Sequence, residues 1–282
     1  TGTTSLQKGL FPFINDYIFL SRNLSDREGL YYMIAEYCFC SGGSKTLDEI
    51  RSRLFELLNS TNVIISEEWF TSDYSHLSGE GGSNWQERLV RLSRIVKGVN
   101  TQMLVTIRNP VDGLFSYYCE MTEVGAARDC PTFESFVRNS NAASVYKLSE
   151  LVTYVRDLFG IVPSLIKFEL LLDHRQQYFA EVARWLDAPV IDFDCGAHGK
   201  RRNKTSNGVL ITPISKAEQV FRKIALKLGG NRLLGTLISR NTRKYLFRYI
   251  KSLRRPVRLN SPTKQEIKLV HIKFGSFCDM YF

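Results

Sequence analysis

Short apolar runs alternate with longer amphipathic segments over the first two thirds of the chain. Compact apolar runs at 62–65, 102–107 and 165–168 each stop at polar or charged residues, which indicates strands. Apolar residues three and four positions apart over 47–58 and 87–97 predict helices with one buried face. Because strand and helix patterns alternate, we expect an α/β fold in which helices flank a parallel sheet.

The composition is that of an ordinary globular protein. Of the 282 residues, 44% are hydrophobic, 12% aromatic and 23% charged, which excludes collagen-like and wholly disordered chains. We expect a single domain over 1–282, in which 209–282 forms a basic helical extension. No apolar run reaches the roughly eighteen residues that a membrane-spanning helix needs.

Six cysteines are dispersed along the chain without CxxC spacing or a nearby histidine cluster. That arrangement gives little support to a zinc site, so we predict buried free thiols and no bound metal. The cysteine count is compatible with a reducing cytoplasm and with an oxidising lumen. We favour the cytoplasm, and a lumenal protein with an N-terminal anchor stays open.

Positive charge is concentrated in the last third of the chain. Between residues 213 and 258, thirteen lysines and arginines accompany one acid, Glu218, so this segment carries +12 while the whole chain carries +10. Apolar residues are interleaved over 214–253, which predicts amphipathic helices that cover a core and leave their charges in water. A second interpretation is attraction to an acidic glycan or an anionic membrane surface. Nucleic acid ranks third, because no nucleic-acid motif accompanies the charge.

Polar side chains directly follow each of the three predicted strands. Ser66, Glu67 and Glu68 follow the first strand, the triplet 108–110 follows the second, and Glu169 follows the third. In open parallel sheets, ligands bind beyond the carboxyl ends of the strands, so these side chains are candidates for one crevice. The alternative is that they are polar only because they reach solvent.

The segment 108–118, RNPVDGLFSYY, carries the clearest local signal. Asn109 suits a helix N-cap and Pro110 the first helical position. A helix that begins there offers free amides to an anion, Arg108 adds a fork-shaped cation and Ser116 a hydroxyl. The alternative is a plain helix cap beside an arginine in a salt bridge.

The opening segment 1–7, TGTTSLQ, is a small-residue turn that leads into an apolar pattern. Gly2 allows backbone amides to approach phosphate oxygens, while Thr3, Thr4 and Ser5 offer hydroxyls. It is not a Walker A loop, because no glycine directly precedes Lys8. A disordered terminus is the alternative interpretation.

Taken in order and spacing, these segments resemble the sulfotransferase family, whose members use 3′-phosphoadenosine 5′-phosphosulfate (PAPS) as sulfuryl donor. TGTTSLQ resembles the family's 5′-phosphosulfate loop, and RNPVDGLFSYY its RNPxDxxxSxY segment for the 3′-phosphate. NVIISEEWF and SLIKFELLL resemble two of its strands that end in acids. RRNKTSNG at 201–208 resembles the loop that closes over the nucleotide.

The resemblance implies a P-loop-like parallel sheet and a site for each part of the donor. It assigns Gly2, Thr3, Thr4 and Ser5 to the 5′-phosphosulfate and Arg108 and Ser116 to the 3′-phosphate. The closing loop would supply three further phosphate ligands, namely Arg202, Asn203 and Lys204, while a solvated basic loop is the alternative interpretation. The acceptor would carry a hydroxyl on a glycan, a lipid or a small metabolite, met in part by the glycine-rich surface loop predicted at 71–84.

The acceptor hydroxyl needs a base, and a carboxylate at a strand end can serve. Glu68 is the first candidate and Glu67 the second, while a salt bridge or helix cap is the alternative for either. His76 competes, since some branches of the family use histidine, although a solvated histidine is the simpler interpretation.

The chain departs from the family pattern at one position. The family's loop carries a basic residue before its glycine, on the strand that leads into the loop, and both would lie upstream of Thr1. Lys8, one turn into the helix, is expected to point to solvent. The competing hypothesis is a non-catalytic anion-binding protein that docks on acidic polysaccharide, membrane or nucleic acid.

Overall fold

The computed structural model describes residues 3–21, 29–39, 46–72, 84–125, 127, 129–188, 204–205, 208–215, 218, 249 and 254–275. The helices in these ranges are α1 Thr3–Gly9, α2 Leu30–Phe39, α3 Leu47–Leu58, α4 Trp85–Ile95, α5 Pro110–Glu123, α6 Phe133–Asn139, α7 Leu148–Phe159, α8 Phe168–Asp173, α9 Arg175–Trp185 and α10 Lys264–Phe274. The strands are β1 Tyr17–Leu20, β2 Asn62–Ile65, β3 Leu104–Ile107, β4 Ser164–Lys167, β5 Lys204–Thr205, β6 Gly208–Ile211 and β7 Val257–Asn260.

The strands pair in three small groups. β1 runs parallel to β2, with Tyr17 opposite Asn62, and β3 runs parallel to β4, with Leu104 opposite Ser164. β5, β6 and β7 form an antiparallel sheet in that order. Two parallel strands need a long connection, usually helical, and helices lie between β1 and β2 and between β3 and β4. The predicted α/β class is therefore confirmed.

The strand and helix predictions agree closely with the structure. The strand at 62–65 and the helix at 47–58 are confirmed at both ends, β3 starts two residues later than predicted, and β4 starts one residue earlier. The helix predicted over 87–97 occupies Trp85–Ile95 instead, because the Asn84 side chain caps it by accepting a 2.8 Å bond from the Glu87 N–H. Strand β1 was not predicted.

Three apolar clusters form the core of the described chain. One packs α2, α3, α4 and α7 together, the second packs α5 and α6 against β6 and α10, and the third packs α1 against α9. Examples of fully buried members are Ile34, Ile50 and Ile95 in the first, Leu114, Val137 and Val270 in the second, and Leu10, Tyr178 and Phe179 in the third. The first and third clusters contain residues of the parallel strands, so they position the strand ends.

Two sequence predictions fall mainly outside the described residues. They are the loop at 71–84, of which Thr71, Ser72 and Asn84 are described, and the amphipathic segment 214–253. Each cysteine in the described part of the chain is a buried free thiol, namely Cys38, Cys119 and Cys130. A search of the described helices found none that is both long and apolar enough to cross a membrane.

Candidate functional site

Helix α5 begins directly beyond the carboxyl end of β3. The Asn109 side chain accepts hydrogen bonds from the backbone N–H of Val111 at 3.0 Å and of Asp112 at 3.5 Å, and Pro110 is the first helical residue. The predicted N-cap and proline are therefore confirmed. The positive end of this 14-residue helix lies beside Arg108, so the local field favours an anion.

Glu169, in the first turn of α8, connects the ends of β3 and β4. Its Oε1 accepts a 2.9 Å hydrogen bond from the backbone N–H of Asn109. Its Oε2 is buried and has no hydrogen-bond partner among the described residues. Glu169, which the sequence indicated as a polar residue at a strand end, thus fixes the turn that carries Arg108.

Arg108 and Ser116 line one cavity of about 140 Å³. Arg108 is half-buried, and its Cζ lies 4.8 Å from the centroid of the Phe168 ring. Gly113, Ser116 and Glu120 lie three and four positions apart on α5, so the same helix face forms this wall. The structure therefore brings together the two residues that the motif assigned to one phosphate. The Glu120 carboxylate shares the cavity and opposes the positive field.

Glu68 lies where this cavity meets a second one of about 420 Å³. It starts the 3-10 turn Glu68–Phe70, which follows the end of β2 after two residues. Four residues belong to the walls of both cavities: Glu68, Thr71, Val105 and Thr106. The first candidate base is thus placed between the Arg108 site and the larger space.

Glu67, the second candidate base, holds this turn in place. Its Oε1 accepts a 3.0 Å hydrogen bond from the backbone N–H of Trp69, so it is the N-cap of the 3-10 turn. Its Oε2 accepts a hydrogen bond from the Tyr31 hydroxyl. Both carboxylate oxygens of Glu67 therefore have structural partners, and Glu68 is the one of the two glutamates that lines both cavities.

Arg88, on α4, clamps the same turn, and sequence reasoning missed it. Its side chain is 2% exposed and donates a 2.7 Å hydrogen bond to the carbonyl oxygen of Trp69 and another to that of Ser72. Its Cζ also lies 5.4 Å from the centroid of the Phe39 ring. This buried arginine has carbonyl partners on both sides of Thr71. It therefore holds in place the turn that begins at Glu68.

Helix α1 borders the second cavity through Thr3 and Leu6. The Gln7 side-chain amide donates to the Ser66 carbonyl oxygen at 2.8 Å and to its hydroxyl at 3.2 Å. These bonds connect α1 to the carboxyl end of β2. Lys8 is exposed, as the sequence predicted.

The second cavity lies between the two parallel strand pairs. Its wall includes every residue of 62–66, which covers the whole of β2, and of 102–106, which covers the first three residues of β3. Since successive residues of a strand face opposite sides, a wall made of consecutive residues is the edge of the strand. The facing edges of β2 and β3 therefore border one space, which apolar residues of α4 and α9 help to enclose.

Four of the residues assigned by the resemblance lie outside the described residues, namely Gly2, His76, Arg202 and Asn203. Thr3 and Thr4 are half-buried and Ser5 is buried, at the start of α1. The backbone of Lys204 belongs to β5 and pairs with Val209.

The basic C-terminal segment contributes a buried ion pair to the described structure. Glu218 is fully buried, and its two carboxylate oxygens accept hydrogen bonds from the Arg254 guanidinium, each at 2.7 Å. These bonds raise the pKa of Arg254, against the effect of its partial burial. The one acid of this segment is thus a structural anchor, and Arg254 is not a solvated charge.

Among the described residues, no three histidine, cysteine or acidic side chains form a group that could hold a metal ion. A search of protein-family profiles, of curated proteins and of solved structures found no significant match to this chain.

Proposed function

We propose that this protein is a sulfotransferase that moves a sulfuryl group from PAPS to a hydroxyl acceptor. The observation that supports it most is that Arg108 and Ser116 line one cavity with Glu68, at the start of a helix that follows a parallel strand. These residues stand in the order and spacing of the family's motifs. The alternative, a plain helix cap beside a salt-bridged arginine, gives no reason for Ser116 and Glu68 to line the same cavity as Arg108.

The 3′-phosphate is the part of the donor that this cavity suits. The Arg108 guanidinium is planar and can donate two parallel hydrogen bonds to a phosphate, and its contact with Phe168 restricts its motion. Ser116 adds a hydroxyl from α5, whose positive end lies nearby. Together they offset the repulsion from Glu120.

The 5′-phosphosulfate would lie towards the second cavity, at the start of α1. Thr3 lines that cavity, and the bonds between Gln7 and Ser66 hold α1 at the end of β2. Backbone amides over 2–5 would neutralise the charge that develops on the leaving oxygen. Glu68, in both walls, would then lie between the two ends of the donor.

The chemical step is an in-line displacement at sulfur. The acceptor oxygen forms a bond to sulfur while the bond from sulfur to the bridging phosphate oxygen breaks. The acceptor proton passes to the Glu68 carboxylate, and adenosine 3′,5′-bisphosphate leaves. Arg88 and Glu67 act as positioning residues, because they hold the turn on which Glu68 lies.

We further propose that the two parallel pairs belong to one P-loop-like sheet. The space between the facing edges of β2 and β3 can accept one extended segment that leads into α1, which gives the order β1, β2, inserted strand, β3, β4. In the family this segment carries the basic residue that stabilises the leaving oxygen.

Calorimetry with adenosine 3′,5′-bisphosphate tests the nucleotide site. We expect the wild-type chain to bind the nucleotide and Arg108→Ala to abolish detectable binding. Arg156→Ala is the control: it removes an exposed arginine that pairs with Asp157, and it should leave the affinity unchanged. If the wild-type chain does not bind the nucleotide, the sulfotransferase proposal is wrong and the anion-docking hypothesis replaces it.

Turnover tests the base. Glu68→Gln should abolish sulfuryl transfer from PAPS and leave nucleotide affinity unchanged, because the change removes only the ability to take a proton. Glu67→Gln should mainly lower thermal stability, since it perturbs the cap and the bond from Tyr31. Full turnover in Glu68→Gln would reject the role of Glu68.

A further inference from the structure

Tyr146 belongs to the wall of the Arg108 cavity, and no motif pointed to it. It is the last residue of the 3-10 turn Asn141–Tyr146, which precedes α7. The centroid of its ring lies 6.5 Å from the centroid of the Tyr117 ring. Tyr146 therefore comes from a separate part of the chain and packs on the same face of α5 that carries Gly113 and Ser116.

The Tyr146 hydroxyl has no hydrogen-bond partner among the described residues. Other tyrosine hydroxyls of the core do have one: Tyr118 donates to the Pro131 carbonyl oxygen at 2.8 Å, and Tyr178 lies 3.3 Å from the Thr106 hydroxyl. Tyr146 is half-buried in the wall of the cavity and is not sealed from it. A hydroxyl left over in a cavity with a guanidinium is therefore available to a ligand or to water.

Gly113 admits Tyr146 to this position. A Cβ atom at residue 113 would lie 2.5 Å from Cε1 of the Tyr146 ring and 2.9 Å from its hydroxyl oxygen. Glycine weakens a helix interior, and the backbone of Gly113 is ordinary helix that needs no glycine for its conformation. The missing side chain instead lets the tyrosine hydroxyl reach the face of α5, one turn from Ser116.

We infer that the Tyr146 hydroxyl is a third ligand of the anion held by Arg108 and Ser116, to which it donates a hydrogen bond. The inference deepens the proposed function, because the anion it names is the 3′-phosphate. A neutral donor suits this place, because a phenol can donate a hydrogen bond to the phosphate without adding a charge beside Glu120.

The electrostatics agree with a donor that stays protonated. Burial raises the pKa of Tyr146 to about 12, Arg108 lowers it and Glu120 raises it. Throughout the neutral range the group is thus a phenol that can donate. Hydrogen bonds to a charged phosphate are stronger than those between neutral groups, which makes the loss of one measurable.

Calorimetry of Tyr146→Phe, which removes only the oxygen, tests the inference with two probes, adenosine 3′,5′-bisphosphate and inorganic phosphate. We expect about tenfold weaker binding of the bisphosphate, the loss of one hydrogen bond to a charged group. The melting temperature without ligand should not change, because no protein hydrogen bond is removed. Tyr118→Phe is the matched control: it should lower the melting temperature by about 2–4 °C and leave affinity unchanged.

A second variant approaches the hydroxyl from the helix. Gly113→Ala should also weaken binding, since the added methyl displaces the ring, and Gly113→Ala combined with Tyr146→Phe should bind no more weakly than Gly113→Ala alone. Independent, additive losses would contradict a shared site.

The outcomes separate this inference from the proposed function. Unchanged affinity in Tyr146→Phe, with binding lost in Arg108→Ala, overturns the inference and leaves the nucleotide site standing. Phosphate binding that depends on Tyr146, without any binding of the bisphosphate, supports the inference and overturns the nucleotide site. A wild-type chain that binds neither probe overturns both, and a lowered melting temperature in Tyr146→Phe assigns the hydroxyl a structural role.

Discussion

The Arg88 guanidinium donates a 2.7 Å hydrogen bond to the carbonyl oxygen of Trp69, so a buried cation on α4 supports the turn that begins at Glu68. The same guanidinium reaches the Ser72 carbonyl oxygen, three residues further along the chain. A positive charge at 2% exposure is costly unless such partners surround it. The placement of the candidate base therefore depends on a residue that contacts neither cavity.

Removing this clamp should destabilise the protein strongly. Arg88→Ala leaves the carbonyl oxygens of Trp69 and Ser72 without their charged donor, and two such bonds are worth about 3 kcal/mol or more together. Urea unfolding measures the loss. Arg91→Ala is the matched control on the same helix, because its bonds to carbonyl oxygens are longer, at 3.3 and 3.4 Å. Equal losses in the two variants would contradict a special role for Arg88.

Local signals in the sequence were sufficient for β2, α3 and the start of α5. Each has a compact pattern or a cap whose partners lie within a few residues, such as Asn109 and Val111. Arg88 could not be found in this way, because an arginine in an amphipathic helix is normally solvated and its carbonyl partners lie 16 and 19 residues away. The contact between Gly113 and Tyr146 is still more remote in sequence, so no spacing pattern reveals it.

The ion pair between Glu218 and Arg254 should behave as a coupled unit. Arg254→Met leaves a fully buried carboxylate without its cation, and breaking such a pair from one side costs about 3–5 kcal/mol. Glu218→Gln combined with Arg254→Met should recover part of that loss, since no uncompensated charge remains. A double-mutant cycle in urea measures the coupling, and additive losses would show that the two residues act independently.

Stability should fall at alkaline pH because of Cys38. Burial raises the pKa of this thiol from 9.0 to about 12, an effect that Arg91 and Arg88 partly offset. Above pH 9 the unfolded chain loses the proton while the folded chain keeps it, so the folded state binds more protons and stability declines as pH rises. One proton corresponds to about 1.4 kcal/mol per pH unit.

The measurement compares the wild-type chain with Cys38→Ala by urea unfolding from pH 9 to pH 11. The variant starts at lower stability because of the cavity it creates, but its free energy of unfolding should decline less steeply. Other titrating groups contribute equally to both chains and cancel in the difference of slopes. Parallel slopes would show that Cys38 titrates alike in the folded and unfolded states.

The space between β2 and β3 should accept a strand that leads into α1. An apolar segment of about six residues, joined by a short glycine loop ahead of Thr1, would pair with both strand edges and bury side chains against α4 and α9. Each buried aliphatic side chain is worth about 1.5–3 kcal/mol, so the extended chain should melt at a higher temperature. A segment of equal length with two prolines is the control, because proline cannot donate to a ladder. Hydrogen exchange then locates the effect: the apolar segment, and not the proline segment, should slow exchange of amides in both 62–65 and 104–107. Protection of one strand only would mean that the segment binds as an edge strand, and that the two parallel pairs do not form a single sheet.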